Sequence, residues 1–148
     1  MIAIGSDHAG FRYKTKICQW LDIAGIEYKD AGTFSEESCD YPVIASEVAG
    51  LITSGECERG ILICGTGIGM CVAANKVNGI RAALCTDTFM ARLCRTHNDA
   101  NILCLGERVI GIGIALDVVD EYLNPENLFE GGRHEGRLGQ IGKLEKQG

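Results

Sequence analysis

The chain has 148 residues, 46% of them hydrophobic and 23% charged, with a formal net charge of −6. A chain of this length fits one domain, residues 1–148, that buries roughly two-thirds of the surface its unfolded form exposes, so its core needs neither disulfides nor a structural metal. The acidic balance excludes an extended nucleic-acid surface, and the apolar runs fall far short of the ~20 residues that cross a membrane.

In chain order, residues 1–5 predict a strand and residues 11–24 a helix, with Ile17, Trp20, Leu21 and Ala24 at three- and four-residue spacing. A second strand is expected at 26–29. Asp40, Tyr41 and Pro42 read as the capped start of a helix whose apolar face carries Ile44, Val48, Leu51 and Ile52. Residues 60–64 predict a third strand and about 68–76 a helix. A strand at 80–85 leads into a helix at 86–96, capped by Thr86 or Asp87, then a fifth strand at 102–105. Residues 112–123 predict a helix with Leu116, Val119 and Leu123 on one face; Gly111 and Gly113 should weaken its start, since glycine costs about 1 kcal/mol against alanine inside a helix. Asn124 and Pro125 break it, and a last helix is expected from about 135 to 146. Residues 124–148 thus form a C-terminal arm, with four cations against two carboxylates from 131 onward.

Strands alternating with helices over short loops imply parallel βαβ units in a doubly wound α/β layer sandwich. The N-terminus shows neither a basic leader nor a cleavage site, so a cytoplasmic location is the expectation. The eight cysteines contain no CxxC pair, and His8, His97 and His134 are not spaced as finger ligands, so no metal is expected. Cys18, Cys71, Cys85, Cys94 and Cys104 sit within apolar patterns and read as small buried hydrophobes.

Cys64 differs, because it ends an apolar strand and opens the glycine loop CGTGIG. A thiol at the mouth of such a loop and a helix N-terminus has its thiolate favoured by N–H dipoles, fit for a base or a nucleophile. The loop lacks GxGxxG spacing and a P-loop lysine, so a dinucleotide reading is weak, whereas a backbone nest for a phosphate or an enolate oxygen is open. Asp7 and His8 follow the first strand, at the edge where open α/β sheets bind ligands. Thr96, His97, Asn98, Asp99 and Asn101 form a polar knot before the fifth strand, denser than a helix cap requires. Arg133 and Arg137, four apart at a helix start, share a face suited to forking a phosphate.

The segments GSDHAG (5–10), DYP (40–42), CGTGIG (64–69), AANK (73–76), GIRAA (79–83), HNDANIL (97–103) and GGRHEGR (131–137) together resemble the type B ribose-5-phosphate isomerases, a family that includes galactose-6-phosphate and allose-6-phosphate isomerases. The resemblance spans nearly the whole chain in order. It implies an α/β/α sandwich with a five-stranded parallel sheet and cofactor-free interconversion of an aldose and a ketose phosphate through an enediolate. On it, Cys64 matches the general base that moves a proton between C1 and C2, and His97 the group that opens the furanose ring. Thr66 and the backbone of Gly65, Gly67, Ile68 and Gly69 match the anion hole; Asp7 and Asn98 match holders of sugar hydroxyls, and Tyr41 a pocket wall. His8, Arg133 and Arg137 match the phosphate site, with Arg108 an addition. The family's active site lies between two subunits, so the resemblance implies a homodimer, with a tetramer open, whose basic tail reaches the neighbouring pocket. Val43, after DYP, and Met70-Cys71, after the glycine loop, depart from the pattern without removing a catalytic group.

Cys64 leans toward the pentose branch, because the galactose-6-phosphate branch typically lacks a cysteine there; allose 6-phosphate stays open. A non-catalytic phosphate-binding or thiol-redox module is the alternative of another class, weaker because base and ring-opening candidates are both present.

Overall fold

The computed structural model describes residues 1–146. Its strands are β1 (Ile2–Ser6), β2 (Tyr28–Asp30), β3 (Arg59–Cys64), β4 (Ala82–Leu84) and β5 (Ile102–Gly106). Its α-helices are α1 (Phe11–Ala24), α2 (Tyr41–Thr53), α3 (Ile68–Ala74), α4 (Thr88–Thr96), α5 (Ile112–Leu123) and α6 (Arg133–Glu145). All strand pairs are parallel, in the order β2-β1-β3-β5-β4.

Strand alternation sets the layers. Ile2, Ile4, Ile61, Ile63, Leu103 and Leu105 project to one face and are buried with residues of α1, α4 and α5. Ala3, Leu62, Cys64, Ile102 and Cys104 project to the other and pack with α2 and α3. Both faces of β1, β3 and β5 are therefore apolar, as a covered parallel sheet requires. Each fully buried Ile or Leu contributes about 1.5–3 kcal/mol.

The expected elements form with shifted ends, each for a local reason. Gly25 takes a left-handed φ of 70°, and Ile26 N–H bonds Leu21 O at 3.0 Å, so β2 starts at Tyr28 rather than at 26. The Asn75 side chain bonds both the amide and the carbonyl of Ala82, which stops α3 at Ala74. Asn101 takes the Arg81 amide at 2.8 Å, shortening β4. Asp87, not Thr86, caps α4, accepting from Met90 N–H at 2.8 Å, whereas the Asp40 side chain makes no capping bond. Gly111 is the cap of α5 and not an interior residue, so only Gly113 lies inside that helix.

The last helix begins two residues earlier than expected, at Arg133. It docks on its own chain at both ends: His134 is its one buried residue among those described, and Glu145 accepts the Gly79 amide at 3.0 Å. The last two residues of the expected arm lie outside the described residues. Cys85, Cys94 and Cys104 are buried as expected, but Cys18 and Cys71 are only half-buried, because their helix positions lie at the rim of the layers.

Candidate active site

The chain runs from β1 outward to β2 and then back across to β3, so the direction of winding reverses between β1 and β3. The carboxyl ends of two such strands diverge and leave a crevice. Asp7 follows β1 and Cys64 ends β3, and the Asp7 amide bonds Ile63 O at 3.2 Å, so both residues stand side by side at this switch point. Gly10 permits the approach: a Cβ there would lie 2.5 Å from the Ile63 carbonyl oxygen.

Cys64 is 5% exposed, and its sulfur accepts the Gly67 amide at 3.2 Å. Gly67 adopts φ 78°, which turns its N–H back onto the thiol. The glycine nest is partly used internally, since Ile68 N–H bonds Thr66 Oγ1 at 3.3 Å. Among the hydrogen bonds of the described residues, the amides of Gly69 and Met70 have no acceptor, which leaves them for an anionic oxygen.

The loop is clamped from β5. Glu107 and Arg108 donate their amides to Cys64 O at 3.0 Å and Gly65 O at 2.9 Å. The Arg108 guanidinium spreads over Gly65, where an added Cβ would meet Nη1 at 3.1 Å. Tyr41 lies against Gly69, its nearest ring atom 2.6 Å from the position of a Cβ. Asp7 uses Oδ1 to accept the Ala9 and Gly10 amides, and His8 Nδ1 accepts from Cys39 N–H at 3.2 Å, tying the first loop to the segment before α2. Asp7, His8, Tyr41, Cys64, Gly65, Thr66, Gly67, Ile68, Gly69 and Arg108 thus gather at the carboxyl edge of the sheet.

His97, Asn98, Arg133 and Arg137 do not join them. Helices of a parallel sheet run opposite to its strands, so the end of α4 returns to the amino edge, where His97 precedes β5. Gly106 at the far end of β5 is the register partner of Cys64. The length of β5 therefore separates thiol from imidazole by roughly 15 Å within one chain. Of the polar knot, Asp99 is paired with Arg81 and Arg95, and Asn101 braces Arg81 N and Gly79 O. Their work is structural, which leaves Thr96, His97 and Asn98. Arg133 and Arg137 are exposed, and neither has an ion-pair partner among the described residues.

Two features escaped the sequence reading. His134 stacks on His97, with ring centroids 4.2 Å apart and planes 15° apart, and Glu130 approaches both rings. His134 stands between Arg133 and Arg137, and Glu130 lies in the irregular segment before α6, so no helical spacing announces the group. The second feature is Cys71, whose thiol is pulled down to about 7 chiefly by its hydrogen bond with the Cys104 thiol, against the opposing effect of burial. Cys104, donating in that pair, is pushed well up.

Residues 2–141 match the family described as Ribose/Galactose Isomerase. The structure of Clostridium thermocellum ribose-5-phosphate isomerase B superposes with a TM-score of 0.96 at 55% identity, covering 99% of this chain and 97% of that one. The ribose-5-phosphate isomerase B of Escherichia coli (strain K12) is 47% identical over 146 residues, 99% of this chain and 97% of the relative. A D-erythrulose-4-phosphate isomerase of Pectobacterium atrosepticum is 44% identical over 147 residues, 99% of this chain and 95% of the relative.

Proposed function

The chain belongs to the ribose/galactose isomerase family, and from that membership we propose that it interconverts D-ribose 5-phosphate and D-ribulose 5-phosphate, with Cys64 as the proton carrier. The observation that carries the reading is the Cys64 sulfur, held by the Gly67 amide beside the unbonded amides of Gly69 and Met70. A base and an anion hole so placed are what an enediolate needs.

In the forward direction His97 moves a proton between the ring oxygen and the anomeric hydroxyl, opening the furanose to the aldehyde. The Cys64 thiolate takes the C2 proton, and the electron pair moves onto the aldehyde oxygen, giving an enediolate that meets Thr66 and the loop amides. The thiol returns its proton to C1 while the O2 proton passes to O1, leaving the ketose. No electron leaves the sugar, so no redox cofactor enters the balance. His8, Arg108, Arg133 and Arg137 hold the phosphate, and this remote grip positions C1 and C2 against the thiol. Asp7 and Asn98 hold hydroxyls.

Because thiol and imidazole lie at opposite edges of one sheet, a second copy must supply His97, Asn98, Arg133 and Arg137 to the crevice holding Cys64. The working form is thus a homodimer with two shared sites. The exposed apolar residues Tyr41, Val43, Ile68 and Val72 beside the crevice support such a contact.

A second reading concerns sugar length, because one relative is an isomerase of D-erythrulose 4-phosphate. Initial rates on ribose 5-phosphate, allose 6-phosphate, galactose 6-phosphate and erythrulose 4-phosphate decide it. Ribose 5-phosphate should give the highest kcat/KM, and a higher value on any of the others would reassign the substrate.

A further inference from the structure

Glu130 precedes α6 and is fixed beside α4, because its amide donates to Thr96 O at 2.9 Å. From there its carboxylate Oε1 lies 3.5 Å from His97 Nε2 and 3.9 Å from His134 Nε2. His134 covers one face of the His97 ring. Two separate pieces of chain, the connecting segment and the first turn of α6, thus converge on the imidazole at the end of α4.

The ligand atoms of these three side chains lie within 4.8 Å of one another, a spacing that raises the question of a metal. The ring planes answer it. A metal bound to an imidazole nitrogen lies in the ring plane about 2.0–2.1 Å away. Two nearly parallel rings stacked at 4.2 Å aim their lone pairs side by side and not at one point.

The arrangement suits orientation instead. A carboxylate at the Nε2 edge selects the tautomer that carries its proton there, and an aromatic wall restricts the tilt of the ring. Burial, then His97 and Arg133, lower the proton affinity of His134, so the wall is a neutral ring near pH 7. The Glu130 side chain is 54% exposed, so its attraction for His97 is screened and adds little to stability.

We propose that Glu130 is a positioning residue for His97, its carboxylate fixing the tautomer and, with His134 stacked behind, the direction in which the imidazole meets the sugar. The inference rests on the reading of His97 as the ring-opening group. It also links the phosphate grip to that step, because His134 stands in the same helical turn as Arg133 and one turn before Arg137.

The test uses Glu130→Gln and Glu130→Asp in the full-length protein, with His97→Asn alongside. Ribose 5-phosphate enters as a furanose, whereas ribulose 5-phosphate is open-chain because its C5 oxygen carries the phosphate. Glu130→Gln should lower kcat on ribose 5-phosphate roughly tenfold to a hundredfold, the range seen when a partner that orients a histidine is removed. Wash-in of solvent deuterium at C1 of ribulose 5-phosphate, which reads proton abstraction alone, should stay within about twofold, and Tm should not move. Glu130→Asp should recover part of the loss. The 15N signals of the His97 ring should report the proton on Nε2 in the wild type and a mixture of tautomers in Glu130→Gln. Unchanged His97 signals, or equal losses in both assays with a lowered Tm, would overturn the proposal. If His97→Asn slows both assays alike, ring opening is the wrong role for His97, and the ring signals still decide whether Glu130 sets its tautomer.

Discussion

Cys64 closes β3 at the carboxyl edge of the sheet, and His97 precedes β5 at the amino edge, so the two side chains of the proposed mechanism cannot meet within one chain. Two inactive variants, Cys64→Ala and His97→Asn, should therefore complement each other. Random exchange of subunits makes half the dimers mixed, and each mixed dimer has one intact site of two, so activity should recover to about a quarter of wild type. No recovery after exchange proven by native mass spectrometry would place both residues in one subunit's site.

The Cys64 loop is held by backbone contact with the end of β5, and two glycines test how rigid that hold must be. A Cβ at Gly106 would lie 2.6 Å from the Thr66 carbonyl, where neither side can yield without moving the loop. Gly106→Ala should cost about 1–3 kcal/mol by thermal or urea unfolding and most of kcat. At Gly65 the three atoms nearest an added methyl all belong to the flexible Arg108 side chain. Gly65→Ala should leave stability near wild type and raise KM by displacing that guanidinium.

Arg137 is exposed and without an ion-pair partner among the described residues, as a phosphate ligand in waiting would be. A hydrogen bond to a charged group is worth about 1.5–3 kcal/mol, so Arg137→Ala should raise KM for ribose 5-phosphate roughly tenfold to a hundredfold. The residual rate on unphosphorylated ribose should be unaffected. Equal effects on both sugars would remove Arg137 from the phosphate site.

Cys71 offers a test through pH. A thiol lowered to about 7 is half thiolate at that pH, and its reactivity rises as pH climbs through the value. Cys18, raised to about 11 mainly by burial, stays protonated across the same range. Iodoacetamide labelling read by peptide mass spectrometry between pH 6 and 9 should show Cys71 gaining label with a midpoint near 7 while Cys18 stays unmodified. A midpoint for Cys71 above 8.5 would rule out the hydrogen bond from Cys104.

The alternation of elements was legible because apolar runs and glycine turns mark strand ends regardless of tertiary context. Cys64 stood out for the same reason: few thiols sit where a buried strand meets a glycine loop. The division of the site between two sheet edges also follows from the alternation, since a residue before a strand and a residue after one lie at opposite edges. Strand order was not legible, because it depends on which crossover packs where. The grouping of Glu130, His97 and His134 depends on the path of the irregular segment after α5, which no periodicity encodes. Cys71 reads in the sequence as a buried hydrophobe, whereas its helix position leaves it half-buried beside Cys104 of the sheet. Asp99 and Asn101 looked chemical only until Arg81 and Gly79 were seen to use them.

The most direct measurement is the initial rate of ribulose 5-phosphate formation from ribose 5-phosphate, with chelator present, by the wild type and by Cys64→Ala. The wild type should turn over, and Cys64→Ala should be slower by at least about a hundredfold while remaining folded, the loss expected for a missing general base. Turnover by Cys64→Ala within a few-fold of wild type would contradict the assignment of Cys64 as the proton carrier.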